Sequence, residues 1–391
     1  MTAGSTLEQP PTRVTAAPAV FPALDALRAL GALAVVGTHA AFQTGRTLNG
    51  PFSAVLARLD SGVALFFVLS GFLLFRPLAD AAAKGTAATP IRRYLWRRAL
   101  RILPTYWLVV VAALLVLPQN RDSGIKDWVA QLSLTQVYGA GLQRHGLSQM
   151  WSLCVEVAFY LVLPLLGWLA LGRRGAPWRP GRALTVVALS VPVSAGWIVA
   201  AHTLPFLDIR IHGQWLPWHL PWFAAGMAFA VVHVHTRSRK AHGRWLVLDD
   251  LAAAPGTCLA LAGVTFLLAT TPIAGPRSLE ALPTLGQSLV KMTLYTVTAA
   301  LVVLPAVFGS ADAAHRRVLA WSPLRRLGDL SYGIFLCHLI VLETVVRLIH
   351  QPLFTGSWAV TFGLTVLGST VLAGAAHALV ERPVRRWRNL V

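Results

Sequence analysis

The chain has 391 residues, of which 55% are hydrophobic and only 13% are charged, and its mean hydropathy is +0.61. One soluble core cannot bury so much apolar surface, so we expect lipid to cover the remainder. A formal net charge of +19 is typical of nucleic-acid binders, but these basic residues form short clusters between apolar stretches. That distribution argues against nucleic-acid binding and indicates a multi-pass membrane protein.

Apolar stretches that reach or approach the roughly 20 residues needed to cross a bilayer occur ten times. We predict an all-α, polytopic integral membrane protein with about ten transmembrane helices in a domain of residues 21–384. A disordered tail, 1–20, is expected before this domain and a basic tail, 385–391, after it. The ten predicted spans are residues 24–43, 59–78, 100–118, 150–171, 183–203, 217–234, 251–271, 287–308, 328–349 and 357–380.

Basic residues alternate between the gaps that separate these spans. The first gap contains only Arg46 and Arg58, and the gap before the sixth span contains only Arg210. The even-numbered gaps are rich in arginine and lysine, and such residues are retained on the cytoplasmic side. We therefore predict that both termini are cytoplasmic and that the protein lies in the cell membrane.

Two segments depart from a simple pattern of spans and short gaps. In the long gap 119–149, Trp128 and Leu132 among polar residues suggest a short interfacial helix, which either covers an active site or lies on the membrane. Pro217 and Pro221 predict an interfacial or broken start for the sixth span. Three tryptophans in this region are typical of an aromatic belt: Trp215, Trp218 and Trp222.

The first span contains two ionisable residues, which are costly at bilayer depth and therefore indicate function. Arg28 and His39 are eleven residues apart, or about 16 Å along a helix, and nearly three full turns place them on one side. We expect Arg28 near the cytoplasmic face and His39 beyond the midplane.

Further ionisable residues occur in the fourth and ninth spans. Glu156 is predicted at a depth similar to that of His39, and His338 and Glu343 follow in the ninth span. We expect these groups to meet in one cavity in the outer half of the membrane. Because histidine accepts protons near neutral pH and a carboxylate can orient it, the set indicates base catalysis. Buried, hydrogen-bonded core residues are the alternative interpretation.

The start of the third span is denser in arginine than topology requires. Helical spacing places Arg97 and Arg101, or Arg98 and Arg101, on one face, where they can bind an anion. Topogenic charge and contact with lipid head groups are the alternative. The cysteines, Cys154 and Cys258 with Cys337, lie in apolar stretches without disulfide or metal-ligand spacing, so no metal site is expected.

Six motifs in order, from about residue 22 to the C-terminus, resemble those of membrane-bound acyltransferase family 3, which includes bacterial polysaccharide O-acetylases and macrolide acyltransferases. The ninth span departs from the family pattern at Phe335, Cys337 and Ile340. The motifs are Leu24–Arg28 followed by His39, Phe66–Phe72, Arg98–Pro104, Trp151–Glu156, Leu327–Tyr332 leading to His338, and Glu381–Pro383.

The resemblance implies transfer of an acyl group, acetyl first of all, from acyl-CoA to a hydroxyl of a sugar-containing acceptor, either a surface glycan or a macrolide or antibiotic sugar. Acyl-CoA is then a substrate, and no permanently bound cofactor is expected. In this interpretation the catalytic residues are His39, Glu156 and His338. His39 acts as general base on the acceptor hydroxyl or accepts the acyl group transiently, and Glu156 orients it or completes the relay. The donor-binding residues are Arg28, Arg98 and Arg101 for the phosphates, and Ser70 and Gly71 for close approach of the thioester.

Three alternatives remain open from the sequence. A transporter or flippase also places ionisable residues in the membrane, although no internal repeat is visible. A non-catalytic membrane scaffold would need His39 only for stability. A covalent route through Cys337, which adjoins His338, is a variant of the enzymatic reading.

Overall fold

The computed structural model describes residues 21–390 except 174, 239–242, 278–280 and 311. The predicted tail 1–20 lies outside the described residues. Ten helices coincide with the ten predicted spans, and no strand occurs in the described part of the chain. They are α1 Pro22–Gln43, α2 Gly62–Lys84, α3 Ile91–Val116, α4 Trp151–Leu171, α5 Pro180–Thr203, α6 Leu216–Ser238, α7 Pro255–Ala269, α8 Leu285–Val307, α9 Ser322–Leu348 and α10 Trp358–Ala376.

Among the described residues, eight of these helices are long and apolar enough to cross a membrane. The prediction of an all-α polytopic membrane protein is thus confirmed, with α6 and α7 outside the set of eight. Helix α5 consists of two segments, Pro180–Ala188 and Ser190–Thr203. The remaining helical turns are Ser53–Ala57, Leu59–Ser61, Pro118–Asn120, Ile125–Leu132, Gln136–Tyr138, Ser148–Met150, Ile209–His212, Gly243–Trp245, Val247–Ala252, Pro272–Ala274, Ala314–Leu319, His377–Glu381, Arg382–Val384 and Arg385–Asn389.

The short helix α7 ends at a buried arginine. The guanidinium of Arg58 donates to the backbone carbonyls of Ala269, Ala274 and Gly275 at 2.9, 3.2 and 2.5 Å. Carbonyls at a helix C-terminus lack intrahelical partners and carry partial negative charge, so a cation satisfies them well. Arg58 therefore caps the C-terminus of α7. This arginine, which the sequence places in the first gap, has a structural role.

Helices α2 and α6 cross closely in the centre of the bundle. A Cβ on Gly71 would lie 2.1 Å from the carbonyl oxygen of Phe223, and one on Gly226 would lie 1.9 Å from that of Val68. Such backbone contact is possible only at residues without a side chain, and it is a common means of packing helices in lipid. This crossing fixes one wall of the candidate site described below.

Helix α9 packs between α1 and α10. A Cβ on Gly328 would lie 2.2 Å from the carbonyl oxygen of Asp25, and one on Gly333 would lie 2.8 Å from Cβ of Ala373. The two glycines therefore let α9 approach both neighbours. This packing places His338 of α9 against His39 of α1.

The start of α6 differs from the expectation of a broken or interfacial helix. The helix is continuous from Leu216, with Pro217 in its first turn and Pro221 inside it. A proline in the first turn lacks only an N–H that would have no partner there, so it does not interrupt the helix. Trp222 is also only 5% exposed, which is unlike a residue of an interfacial belt.

The long segment 119–149 contains the predicted short helix, Ile125–Leu132, and packs against the bundle. The Tyr106 hydroxyl of α3 donates to the carbonyl of Gln131. Gln149 donates to the carbonyl of Leu336 in α9 at 2.8 Å, two residues before His338. The end of this segment therefore lies against the part of α9 that carries this histidine, whereas the short helix itself packs against α3.

Candidate functional site

Two histidines from helices far apart in sequence meet inside the bundle. The Nε2 atom of His338 lies 3.3 Å from Nδ1 of His39, and their ring centroids are 5.0 Å apart. Nδ1 of His39 also lies 2.8 Å from the carbonyl oxygen of Val35, and Nδ1 of His338 lies 2.7 Å from that of Phe335. His338 is fully buried, and His39 is partly exposed.

These contacts determine where the protons of the neutral pair lie. A carbonyl can only accept, so Nδ1 carries the hydrogen in both rings, and Nε2 carries the lone pair. Nε2 of His338 then accepts from Nδ1–H of His39. The same hydrogen is shared with the carbonyl oxygen of Val35. Nε2 of His39 has no hydrogen-bond partner among the described residues. The open lone pair is the group that a general base requires.

Glu156 lies in a different hydrogen-bonding environment. Its Oε1 accepts from the Ser70 hydroxyl at 2.5 Å and from the Tyr160 hydroxyl at 2.7 Å. The carboxylate lines a cavity of about 90 Å³ together with three arginines. They are Arg28, Arg98 and Arg101.

The three arginines make few internal ion pairs, which leaves positive charge available in this cavity. Arg28 pairs with Asp25 at 3.1 Å. The guanidinium carbon of Arg98 lies 6.0 Å from the centre of the Tyr160 ring, and its buried Nε has no hydrogen-bond partner in the described part of the chain. A buried donor without a partner is costly, and an anion can satisfy it.

A larger cavity of about 620 Å³ adjoins this one between the end of α2, the start of α3 and the end of α4. The two cavities share Leu73, Leu74 and Arg98 as lining residues. At the other end, the small cavity reaches Phe335, whose ring lies 5.7 Å from that of His338. The three features form a series from a helix-end cavity, past the arginines, to the histidine pair.

The structure divides the predicted site residues into separate groups. It brings His39 to His338 as expected, but Glu156 accepts hydrogen bonds from Ser70 and Tyr160, and among the described residues it makes no direct contact with His39 that would orient the imidazole. The reason is the face of α4 that carries Glu156, which turns its side chain towards Ser70 of α2 and the arginine-lined cavity. The four groups therefore do not meet in one outer cavity.

Three further predicted residues have other structural surroundings. Glu343 accepts from the backbone N–H of Gly146 at 2.7 Å, in the segment 119–149. Gly71 faces α6 and is not among the lining residues of the small cavity, so its placement does not support contact with a thioester. The thiol of Cys337 lies 3.5 Å from the carbonyl oxygen of Ser369 in α10.

Sequence reasoning missed a second cluster of ionisable residues. Lys291 and Tyr295 of α8 both contact the carboxylate of Asp60, and the Lys291–Asp60 distance is 3.0 Å. Lys291 lies inside a predicted span and is four residues before Tyr295, so the two share one helix face. A lysine at this depth was the signal that would have revealed the cluster.

A multi-pass helical protein with a pair of histidines inside the bundle and an arginine-lined cavity is the class that the fold and site define. Residues 21–374 match the sequence model of the acyltransferase 3 family, described as an acyltransferase domain. The chain belongs to this family, which confirms the resemblance found from its motifs. No solved structure matches the chain.

The chain is also similar to several curated proteins. It is 27% identical to nodulation protein 10 of Rhizobium leguminosarum bv. viciae, over 93% of both chains. It is 25% identical to a peptidoglycan O-acetyltransferase of Listeria monocytogenes, over 93% of this chain and 56% of the relative. It is 20% identical to an O-acetyltransferase of Staphylococcus aureus strain NCTC 8325, over 94% and 58%. The chain thus spans little more than half of these two O-acetyltransferases.

Proposed function

We propose that this chain is a membrane-embedded O-acyltransferase that moves an acyl group, acetyl first of all, from acyl-CoA to a hydroxyl of a sugar-containing acceptor. The family and the O-acetyltransferase relatives support the reaction class. The observation that carries the proposal is the pair of adjoining arginine-lined cavities, the smaller of which reaches Phe335 beside the His39–His338 pair.

The donor is assigned to the arginine-rich end of this series. Arg97, Arg98, Arg173 and Arg388 line the cavity of about 620 Å³, and guanidinium groups pair well with phosphates. Its volume suits a nucleotide-sized head group, and the narrow neighbouring cavity suits an extended thioester arm. Because acyl-CoA is cytoplasmic, this end faces the cytoplasm in the proposal, which agrees with the predicted orientation of the arginine-rich gaps.

The chemistry is assigned to the histidine pair. Nε2 of His39 takes the proton of the acceptor hydroxyl while the hydroxyl oxygen attacks the thioester carbonyl. The C–S bond breaks as the C–O ester bond forms, and the proton passes to the departing CoA thiolate. His338 acts as a positioning residue, because its Nε2 accepts from Nδ1–H of His39 and favours the imidazolium that forms.

Acyl transfer by purified protein in nanodiscs tests the proposal. With radiolabelled acetyl-CoA and a glycan acceptor, His39→Ala is expected to lower kcat by about 100-fold or more, the usual contribution of a general base. Size-exclusion profile and thermal stability of the variant establish that it is folded. Unchanged turnover in a folded variant contradicts the assignment of His39.

Two controls separate the proposal from its rivals. The first control incubates the protein with labelled acetyl-CoA in the absence of acceptor and then denatures it. Label that remains on wild-type protein but not on His39→Ala would show a transient acyl-histidine in place of general-base transfer. Acceptor that accumulates in sealed vesicles without acyl-CoA, with no product in any assay, would overturn the enzyme in favour of a transporter.

A further inference from the structure

A second large cavity opens at the opposite end of the bundle from the arginine-lined one. Its volume is about 310 Å³, and it lies between the starts of α2, α4, α6 and α8. Three tryptophans form much of its wall: Trp151, Trp218 and Trp222. Tryptophan combines a broad apolar face with a polar edge, so such a wall suits a ligand that is itself apolar on one face and polar at its rim.

A buried histidine in this cavity has an unused hydrogen-bonding atom. Nε2 of His219 lies 3.0 Å from the carbonyl oxygen of Gly213, so it carries the hydrogen and donates. Nδ1 therefore has a lone pair, and this buried atom has no partner among the described residues. His219 is only 5% exposed and lines the cavity. An acceptor without a partner is costly, and because this atom is itself enclosed, a ligand hydroxyl in the cavity reaches it through a small shift of the imidazole.

The wall of the cavity also carries charged and hydroxyl groups, next to Trp222, whose ring stacks on that of Tyr295. Lys291 lies 3.0 Å from the carboxylate of Asp60 and 5.1 Å from the centre of the Tyr295 ring. Tyr295 donates its hydroxyl to the same carboxylate. The ammonium still has donors to offer, and the carboxylate has further lone pairs. This wall can therefore donate to and accept from a polyhydroxylated ligand.

This cavity adjoins the small one that contains Glu156, because Val63 lines both. The small cavity in turn reaches Phe335, whose ring lies 5.7 Å from that of His338. The cavity beside Asp60 therefore adjoins, through Val63, the small cavity that ends beside the histidine pair.

We propose that this cavity binds a pyranose ring of the acceptor. This assignment rests on the proposed function and locates the acceptor of that reaction. The tryptophans pack against the apolar face of the ring, Nδ1 of His219 accepts from one hydroxyl, and the Asp60–Lys291 pair contacts others. The ring hydroxyl directed towards α1 is the one that His39 deprotonates.

Acceptor kinetics and direct binding test the site in the full chain in nanodiscs. The probes are chitotetraose and methyl β-D-glucopyranoside, with glycerol as a polyol that has no ring. Trp218→Ala is expected to raise the acceptor KM about tenfold, the effect of losing one aromatic contact, and Trp218→Phe less. His219→Phe removes the lone pair at similar volume and should raise the acceptor KM by a similar factor.

Trp321→Ala is the matched control, because Trp321 is 62% exposed and lines none of these cavities. Its acceptor KM should equal that of wild type. Isothermal titration calorimetry with the same sugars should show weaker binding in Trp218→Ala and His219→Phe, and glycerol should not bind in any protein.

The outcomes distinguish this site from the proposed function. Acyl transfer with unchanged acceptor KM in both cavity variants overturns the sugar site and leaves the acyltransferase. If both variants bind sugar more weakly than wild type but no protein transfers an acyl group, the sugar site is supported and the proposed reaction is contradicted. A wild-type protein that neither binds nor acylates either sugar overturns the site.

Discussion

The histidine pair and the Glu156 cluster lie in one bundle but use different kinds of hydrogen bond. His39 and His338 bond to backbone carbonyls of their own helices and to each other, which leaves one nitrogen open. Glu156 instead accepts from two hydroxyls beside three arginines. The difference indicates a division of labour: the neutral pair is suited to move a proton, and the charged cluster is suited to hold an anion.

Among the predictions that test this division of labour, removing His338 should cause the largest loss of activity. His338→Ala leaves Nδ1–H of His39 without its imidazole partner, so we expect kcat to fall by about 10- to 100-fold, the range for removing a group that hydrogen-bonds and orients a functional histidine. Steady-state kinetics across pH provide the measurement. Partial recovery in His338→Gln, whose amide oxygen can accept from Nδ1–H, and a changed pH profile would identify a positioning role. A simple loss of folded protein in both variants would indicate a structural one.

Removing positive charge beside Glu156 should have an intermediate effect, and on a different parameter. We expect Arg98→Gln and Arg101→Gln each to raise the KM for acetyl-CoA by about tenfold while kcat changes little, because they hold donor and not the reacting atoms. Arg92→Gln is the matched control, since Arg92 is exposed on the same helix and lines no described cavity. A fall in kcat without a change in KM would remove the distinction between the two regions.

Replacing Cys337 should have the smallest effect. Its thiol faces the carbonyl of Ser369, so Cys337→Ser keeps the hydrogen bond and should leave kcat and both KM values within about twofold of wild type. An inactive but folded Cys337→Ser protein, with radiolabel bound to the wild-type thiol, would instead assign a covalent role to the cysteine.

Helix positions were predictable because lipid requires long apolar segments, and all ten predicted spans coincide with helices. The pairing of His39 with His338 was also accessible, since depth along each span could be estimated from residue count. The partner of Glu156 on another helix could not be predicted, because depth does not determine which face of a helix meets which neighbour. Tyr160, four residues after Glu156, shares its helix face and was accessible from the sequence, whereas Ser70 of α2 could be found as a partner only from the packing.

Gly71 and Asp60 illustrate two other limits. A glycine in an apolar span can allow the close approach of either another helix or a ligand. At Gly71 the nearby backbone of Phe223 shows that the approaching group is helix α6. Asp60 lies at the edge of a predicted span, where a carboxylate is inexpensive, so it gave no signal without Lys291. The contact between them joins residues 231 apart in sequence.

The narrow cavity between the two large ones has a consequence for what can pass through the protein. Its volume is about 90 Å³, against about 620 Å³ and about 310 Å³ for the cavities on either side. Under the proposed function the nucleotide and the sugar stay in the two large cavities, and only the thioester arm with its acyl group enters the narrow one. The enzyme would then hand a small chemical group from one carrier to the other without moving either carrier through the membrane.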